Sequence, residues 1–380
     1  MKVLLCTPYN VDARNVGGIA VWAECINAYY HQHEPENVEL DIQPMNRSVE
    51  SPGDLNPLSR LTTGIKDYAR LIKRLDKRLA SNSYDVLHQC TSATIGLLKD
   101  VVVLRMARRH HVATVLHFHS GRVPGIVKNG GVKLILLRKA ARLADRMITL
   151  DELTKTTLEG MGYHNVSLVP NPCSDSVLSI VRENEGKITR QPRRIFFAGL
   201  VIPPKGVIEL VEACRDISDC TLVMAGYAEE PMKKRLMEIA SSREDGAWLT
   251  LLGGIPHEQV LLEMLSSRFF VLPSYTEGLP NVILESMLAG CTIVASTVGA
   301  IPALLTPPNE PPCGVLVSPQ NMTMLRDALK ALLANLDYCD ALSEAARDSA
   351  LQHYTVPNVW PLLTSAWQSA VTMKNEPKKK

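Results

Sequence analysis

FFVLPSYTEGLPNVILESMLAGCTIVAS (269–296) reads as strand, turn, helix and strand. Its two apolar runs, FFVLPS (269–274) and TIVAS (292–296), are short and end in Pro or Ser. The turn EGLPN carries Gly and Pro, and VILESMLAG has the length and composition of a helix. Two strands joined by a helix make a βαβ unit, and the rhythm continues in both directions. Around it lie IFFAGL (195–200), TLVMAG (221–226), WLTLLG (248–253) and GVLVSP (314–319). An earlier series comprises KVLLC (2–6), VELDIQPM (38–45), DVLHQ (85–89), ATVLHFH (113–119), RMITL (146–150) and SLVPN (167–171). The polar stretch SIVRENEGKITRQPRR (179–194) separates the two series, so an interdomain linker is expected near residues 172–192. The predicted fold is α/β, with two mostly parallel sheets covered by helices on both faces.

A chain of 380 residues suits two domains of ordinary size. With 46% hydrophobic and 21% charged residues it has an ordinary globular composition, and no apolar run reaches the length of a membrane span. The opening MKVLLCTPYNVDARN is too briefly apolar for a signal peptide and reads as a first strand, so a cytoplasmic protein is expected. Nine cysteines without CxxC pairing fit a reducing compartment and do not suggest zinc. The net charge of +2 hides an asymmetry, with 22 Lys and Arg against 16 Asp and Glu in residues 1–170, and 19 against 23 in residues 171–380. A basic first half is compatible with nucleic acid, anionic lipid or a phosphorylated substrate.

The turn and helix of the opening stretch place Glu277 and Glu285 eight residues apart, beside a helix N-terminus whose unpaired N–H groups suit a phosphate. A carboxylate accepts paired hydrogen bonds from vicinal sugar hydroxyls, so Glu285 is a candidate for a ribose and Glu277 for a second sugar. The alternative is a helix cap at Glu277 and a wet helix face at Glu285. FAGLVIPPKGVIELVEA (197–213) ends a strand at Gly199 and sets Lys205 at a helix start, where it can pair with a diphosphate or be an ordinary surface lysine. NVGGIAVWAECINAYY (15–30) puts Gly17 and Gly18 before a helix, which lets backbone amides approach an anion, or is a plain loop. HFHSGR (117–122) closes a strand; His119 is the better functional candidate, His117 the structural one. There is no Asp-x-Asp pair for a cation on a diphosphate, no GxGxxG, no GxSxG and no Walker A sequence.

Taken together these motifs resemble glycosyltransferase family 4, whose members are retaining enzymes of the GT-B fold, and the resemblance covers nearly the whole chain. It implies two Rossmann-like domains facing across a cleft. Residues 1–172 would bind the acceptor, with 358–380 crossing back onto them, and residues 173–357 would bind the nucleotide sugar. By the resemblance Glu285 binds the donor ribose and Glu277 the transferred sugar. Lys205, following Gly199, meets the diphosphate, the amides of Gly278 and Leu279 meet sugar or phosphate, and Gly17, Gly18 and His119 complete the active site. The family usually has an arginine after the glycine at position 199; here it is Leu200, and Arg122 is a candidate substitute.

The expected activity is hexosyl transfer, without a metal or other cofactor, from a nucleotide sugar to a glycan or lipid-linked acceptor in polysaccharide or glycolipid synthesis. A UDP-sugar is favoured over a GDP-sugar, and no nucleic-acid partner is expected. Two basic amphipathic segments, 65–80 and 131–146, make peripheral contact with an anionic membrane an open alternative to ordinary packing on the first sheet. An epimerase or phosphorylase on the same fold, and a non-catalytic nucleotide-sugar binder, are the competing readings.

Overall fold

The computed structural model describes residues 1–9, 18–46, 57–94, 96–243 and 247–375. Gly17 and the charged C-terminal tail after Asn375 lie outside them. The chain divides into two units, Met1–Val169 together with Trp360 onward, and Pro170–Val359.

The first unit holds β1 (Lys2–Thr7), β2 (Glu39–Pro44), β3 (Val86–Thr91), β4 (Ala113–Phe118), β5 (Arg146–Thr149) and β6 (Val166–Leu168). They form one parallel sheet in the order β2-β1-β3-β4-β5-β6. The second unit holds β7 (Gln191–Ala198), β8 (Thr221–Ala225), β9 (Leu249–Gly253), β10 (Ser267–Leu272), β11 (Thr292–Ser296) and β12 (Val315–Val317). Its parallel order is β12-β11-β10-β7-β8-β9. All twelve strands fall on the runs read from the sequence. The inner strands are buried on both faces, as Ile195–Ala198, Phe269–Leu272 and Ile293–Ala295 illustrate, which is why they read as continuous apolar runs. All nine cysteines are buried, and none is in a disulfide.

The polar stretch expected as a linker is instead structured. It contains a helix, Asp175–Asn184, capped by Ser174 and burying Val177 and Val181, and β7 already starts at Gln191. Its polarity belongs to the outer face of an amphipathic helix, which hid the periodicity. Of the two basic segments, the helix Pro57–Ser81 buries Leu75 and Leu79 in the first core and packs Leu71 and Ile72 against it. Its apolar stripe is therefore used internally. The helix Gly131–Leu143 buries Leu137, Ala140 and Ala141 but leaves Val132 and Ile135 exposed, 71% and 53%, among exposed Lys133, Arg138, Lys139 and Arg142. Among the described residues no helix is long and apolar enough to cross a membrane.

The helix Asn281–Leu288, which carries Glu285, is held at its C-terminal end by Arg190. One guanidinium nitrogen donates to the carbonyls of Gly290, at 2.5 Å, and Ser267, at 3.1 Å, and the other donates to Ala289 at 2.5 Å. A cation there meets both the unpaired carbonyls and the negative end of the helix dipole. Arg190→Ala is expected to lower the unfolding free energy of the second unit by about 1.5–3 kcal/mol, the range for hydrogen bonds to a charged group. Urea unfolding followed by circular dichroism checks it.

Candidate functional site

In the second sheet the strand order reverses between β7 and β10, and the loops leaving their carboxyl ends diverge there. Such a switch point is where open α/β sheets bind ligands. The loop after β7 closes with a 3-10 turn, Pro203–Lys205, and Gly206 follows with φ +68°. A Cβ at Gly206 would stand 2.1 Å from the carbonyl oxygen of Pro273, just beyond β10, so only glycine fits. The Tyr275 N–H donates to the Pro204 carbonyl at 2.9 Å. These two contacts bring Lys205 to the turn after β10, where its Nζ lies 2.5 Å from Glu277 Oε1. With side chains 27% and 12% exposed, the two charges attract far more strongly than in bulk water.

The turn between Glu277 and the Asn281–Leu288 helix is fixed through its carbonyls. Gly278 accepts from the Ala300 N–H at 2.8 Å, and Leu279 accepts from Asn171 Nδ2 at 3.1 Å. Gly299 makes the first contact possible, since a Cβ there would lie 2.3 Å from the Gly278 oxygen. The amides of Gly278 and Leu279 donate to no group among the described residues, and Pro280 at the N-cap offers no side-chain bond. Donors are thus left over at the helix N-terminus, the arrangement that receives an anion.

Glu285 is 6% exposed, which rules out a wet helix face, and Glu277 is paired with Lys205 and makes no helix cap. Glu285 Oε1 lies 3.0 Å from His257 Nε2, while its Oε2 is buried and unpartnered among the described residues. A buried carboxylate with one free oxygen retains capacity to accept from a ligand hydroxyl. His257 opens the helix His257–Ser266 that follows β9, and the sequence reading did not select it. Its local signal was GGIPHEQ, a strand end and helix start; its partner stands 28 residues away. Hydrogen bonding to Glu285 raises the His257 pKa above its usual 6.5 against the opposing effect of burial. Gly199 donates its N–H to the Ala225 carbonyl, and Leu200 beside it is 53% exposed, with no cation in its place.

The remaining candidates belong to the first unit. Gly18 begins the helix Gly18–His33, and Trp22 in that helix packs edge-on against His117 and His119, ring centroids 5.0 and 4.8 Å away. His117 in β4 is fully buried, and its ring centroid lies 3.8 Å from that of His119, just past the strand, with the two planes tilted by 36°. Burial pushes His119 down to about 3 and His117 well below its usual value, so both rings are neutral. His119 is thereby a neutral hydrogen-bonding group. Arg122 is exposed ahead of the helix Val123–Asn129, its guanidinium 3.5 Å from the Ser92 carbonyl.

His88, Cys90 and His117 bring one potential metal-ligand atom each within 4.8 Å of one another. Nitrogens of both histidines already take part in hydrogen bonds: Trp367 Nε1–H donates to His88 Nδ1 at 2.8 Å, and His88 Nε2 faces His117 Nδ1 at 3.2 Å. Burial raises the Cys90 thiol above its ordinary range.

The raised pKa of His257 has a definite sign. Its pairing with Glu285 contributes fully below the unfolded value of 6.5 and fades as pH rises through the folded one. His257→Gln is therefore expected to lower the melting temperature more at pH 6 than at pH 9, as a thermal melt of both proteins at the two pH values will read.

Residues 182–349, which hold Lys205, His257, Glu277 and Glu285, match the family model of glycosyl transferases group 1. Over 137 residues the chain is 28% identical to the putative teichuronic acid biosynthesis glycosyltransferase TuaC of Bacillus subtilis, covering 36% of this chain and 32% of that one. The matched stretches span 32% to 46% of the first curated relatives' lengths. Among solved structures, sucrose-phosphate synthase of Thermosynechococcus elongatus aligns with a TM-score of 0.74 at 17% identity, over 98% of this chain and 99% of that one. Anabaena HepE in complex with UDP and glucose aligns at 0.67 and 17% identity, over 97% and 100%. The chain has the two-domain α/β fold of these GT-B structures, and residues 182–349 carry its similarity to group 1 glycosyltransferases.

Proposed function

We propose that this chain is a glycosyltransferase of family 4 that moves a hexosyl group from a nucleotide sugar to a glycan or lipid-linked acceptor, with retention and without a metal. The observation that carries the reading is the convergence of Lys205, Glu277, the unused amides of Gly278 and Leu279, and the half-satisfied Glu285 at the switch point of the second sheet. Positive charge and bare N–H groups suit a diphosphate, and two carboxylates suit the sugar on either side of it. HepE, a protein of this fold, was solved with UDP and glucose, which supports a UDP-sugar as donor. TuaC, named for teichuronic acid biosynthesis, supports a polysaccharide setting.

In the proposed reaction the bond between the anomeric carbon and the diphosphate oxygen breaks, its electron pair leaving with the diphosphate. The acceptor oxygen bonds to that carbon from the same face, and its proton passes to the departing diphosphate oxygen. Lys205 and the helix N-terminus stabilise the charge that develops there, a role that needs no cation beyond the chain's own. Glu285 holds the ribose and Glu277 orients the transferred sugar, and by the family resemblance His119 serves the reaction as a neutral hydrogen-bonding group. Leu200 favours one second reading, a protein that binds a nucleotide sugar without turning it over.

A thermal-shift panel of UDP, GDP, ADP and their sugar conjugates, with magnesium or with chelator, tests the donor. A ligand at 100 times its Kd stabilises by about 2.7 kcal/mol. UDP or its conjugate is expected to raise the melting temperature equally with chelator, and Glu285→Ala to abolish the shift. Indifference to every nucleotide would overturn the donor reading, while binding without sugar release would favour the second one.

The exposed Val132 and Ile135 among four cations support peripheral contact with an anionic membrane through the Gly131–Leu143 helix. The protein is expected to sediment with phosphatidylserine vesicles at low salt and to be released at 0.5 M salt or by Ile135→Glu, the range in which screening removes surface attraction. Absence from the vesicle pellet at low salt would remove the membrane from the proposal.

A further inference from the structure

Trp367 lies, fully buried, in the C-terminal helix Val356–Asn375, within the segment expected to cross back onto the first domain, and carries none of the roles read in the sequence. Its indole N–H donates to His88 Nδ1 at 2.8 Å. An indole nitrogen is a donor only. His88 Nδ1 must therefore be the accepting nitrogen, which leaves its proton on Nε2. That Nε2–H faces His117 Nδ1 at 3.2 Å, so His117 Nδ1 accepts in turn and its single proton sits on Nε2. His117 Nε2 and His119 Nε2 are both buried without a partner among the described residues, and the two ring centroids lie 3.8 Å apart with the planes tilted by 36°.

We infer that Trp367 is a positioning residue for the active-site His119, acting through His88 and His117 by fixing their tautomers and barring a proton from the chain. The inference rests on the proposed role of His119. Protonation of His117 would put an N–H on Nδ1, opposed to the His88 Nε2–H. Relieving that clash would move the His88 proton to Nδ1, against the indole N–H. A donor-only group at one end thus closes the whole chain to an added proton. His119, in contact with a ring that stays neutral, keeps a neutral neighbour.

Among the described residues nothing around the three rings offsets this. Trp22 caps the three rings from the Gly18–His33 helix, at 5.6, 5.0 and 4.8 Å from His88, His117 and His119. Cys90 stands beside them on β3, with its thiol protonated, and Thr7 of β1 hydrogen-bonds to Cys90. Within the described part of the C-terminal helix Lys374 is the sole charged side chain, and it is tied to the His111 carbonyl. In the Gly18–His33 helix the sole acidic residue is Glu24, two positions from Trp22 and so on another side of the helix. The shifts of His88, His117 and His119 come from burial and from one another.

Imidazole nitrogen NMR of the wild-type protein, with Trp367→Phe alongside, tests the inference. In the wild type, His88 and His117 are expected as neutral Nε2–H tautomers with no titration between pH 5 and 8. An Nδ1–H tautomer or a titration in that window would overturn it without reference to activity. In Trp367→Phe, which keeps an aromatic ring but no donor, at least one of the three histidines is expected to titrate in the same window. If the chain turns over a nucleotide sugar, kcat of this variant is expected to fall at least tenfold between pH 8 and 6, where the wild type holds level, with KM for the donor unchanged. A variant that folds and keeps both the wild-type tautomers and the wild-type pH profile would refute the role of Trp367. An inactive wild type with the expected tautomers would count against the proposed function and leave the chain of protons standing.

Discussion

Both sheets are parallel and buried on both faces, so their side chains, polar ones included, must be satisfied in a dry interior. Gln89 and Thr91 in β3 illustrate the demand, since both donate to the buried Asp100, whose carboxyl is raised to about 6 by burial. Strands of this kind leave no room for a ligand between them. A ligand is therefore left to the loops at their carboxyl ends, and in the second sheet the candidate site lies where β7 and β10 separate.

At that point the structure works by close backbone approach. Gly206 against Pro273 and Gly299 against Gly278 bring three separate loops within hydrogen-bonding reach, so that Lys205, Glu277 and the free amides converge. Without a ligand the two opposite charges satisfy one another. A diphosphate and a sugar would replace that pairing with contacts to each partner, so the resting ion pair keeps a partly buried carboxylate and ammonium from being left alone. Glu285 is managed differently. One of its oxygens is held by His257 and the other has no partner among the described residues, so the chain itself orients the carboxylate and leaves one oxygen able to accept from a ligand.

The strands and the local part of this site were legible in the sequence because each signal is contained in one short stretch. Apolar runs bounded by Gly, Pro and Ser mark strands, and Glu277 and Glu285 lie on a single turn and helix. The Asp175–Asn184 helix was missed because its outer face supplies most of its residues and only Val177 and Val181 report its core side. His257, Trp22 and Trp367 gain their meaning from partners distant along the chain, and no spacing rule reaches them. Periodicity placed His117 and His119 on one face, but their neutrality follows from burial in a cluster that includes Trp22, which no spacing in the sequence brings to them.

The bond between Trp367 and His88 spans 279 positions. During synthesis His88 leaves the ribosome long before the indole that completes its surroundings; at about 5–20 residues per second the interval is on the order of tens of seconds. Throughout it the first sheet can pair its strands while one face waits for its last helix, with three histidines and Trp22 incompletely covered. The unit that is begun first therefore cannot be completed until the whole of the second unit, Pro170–Val359, has been made.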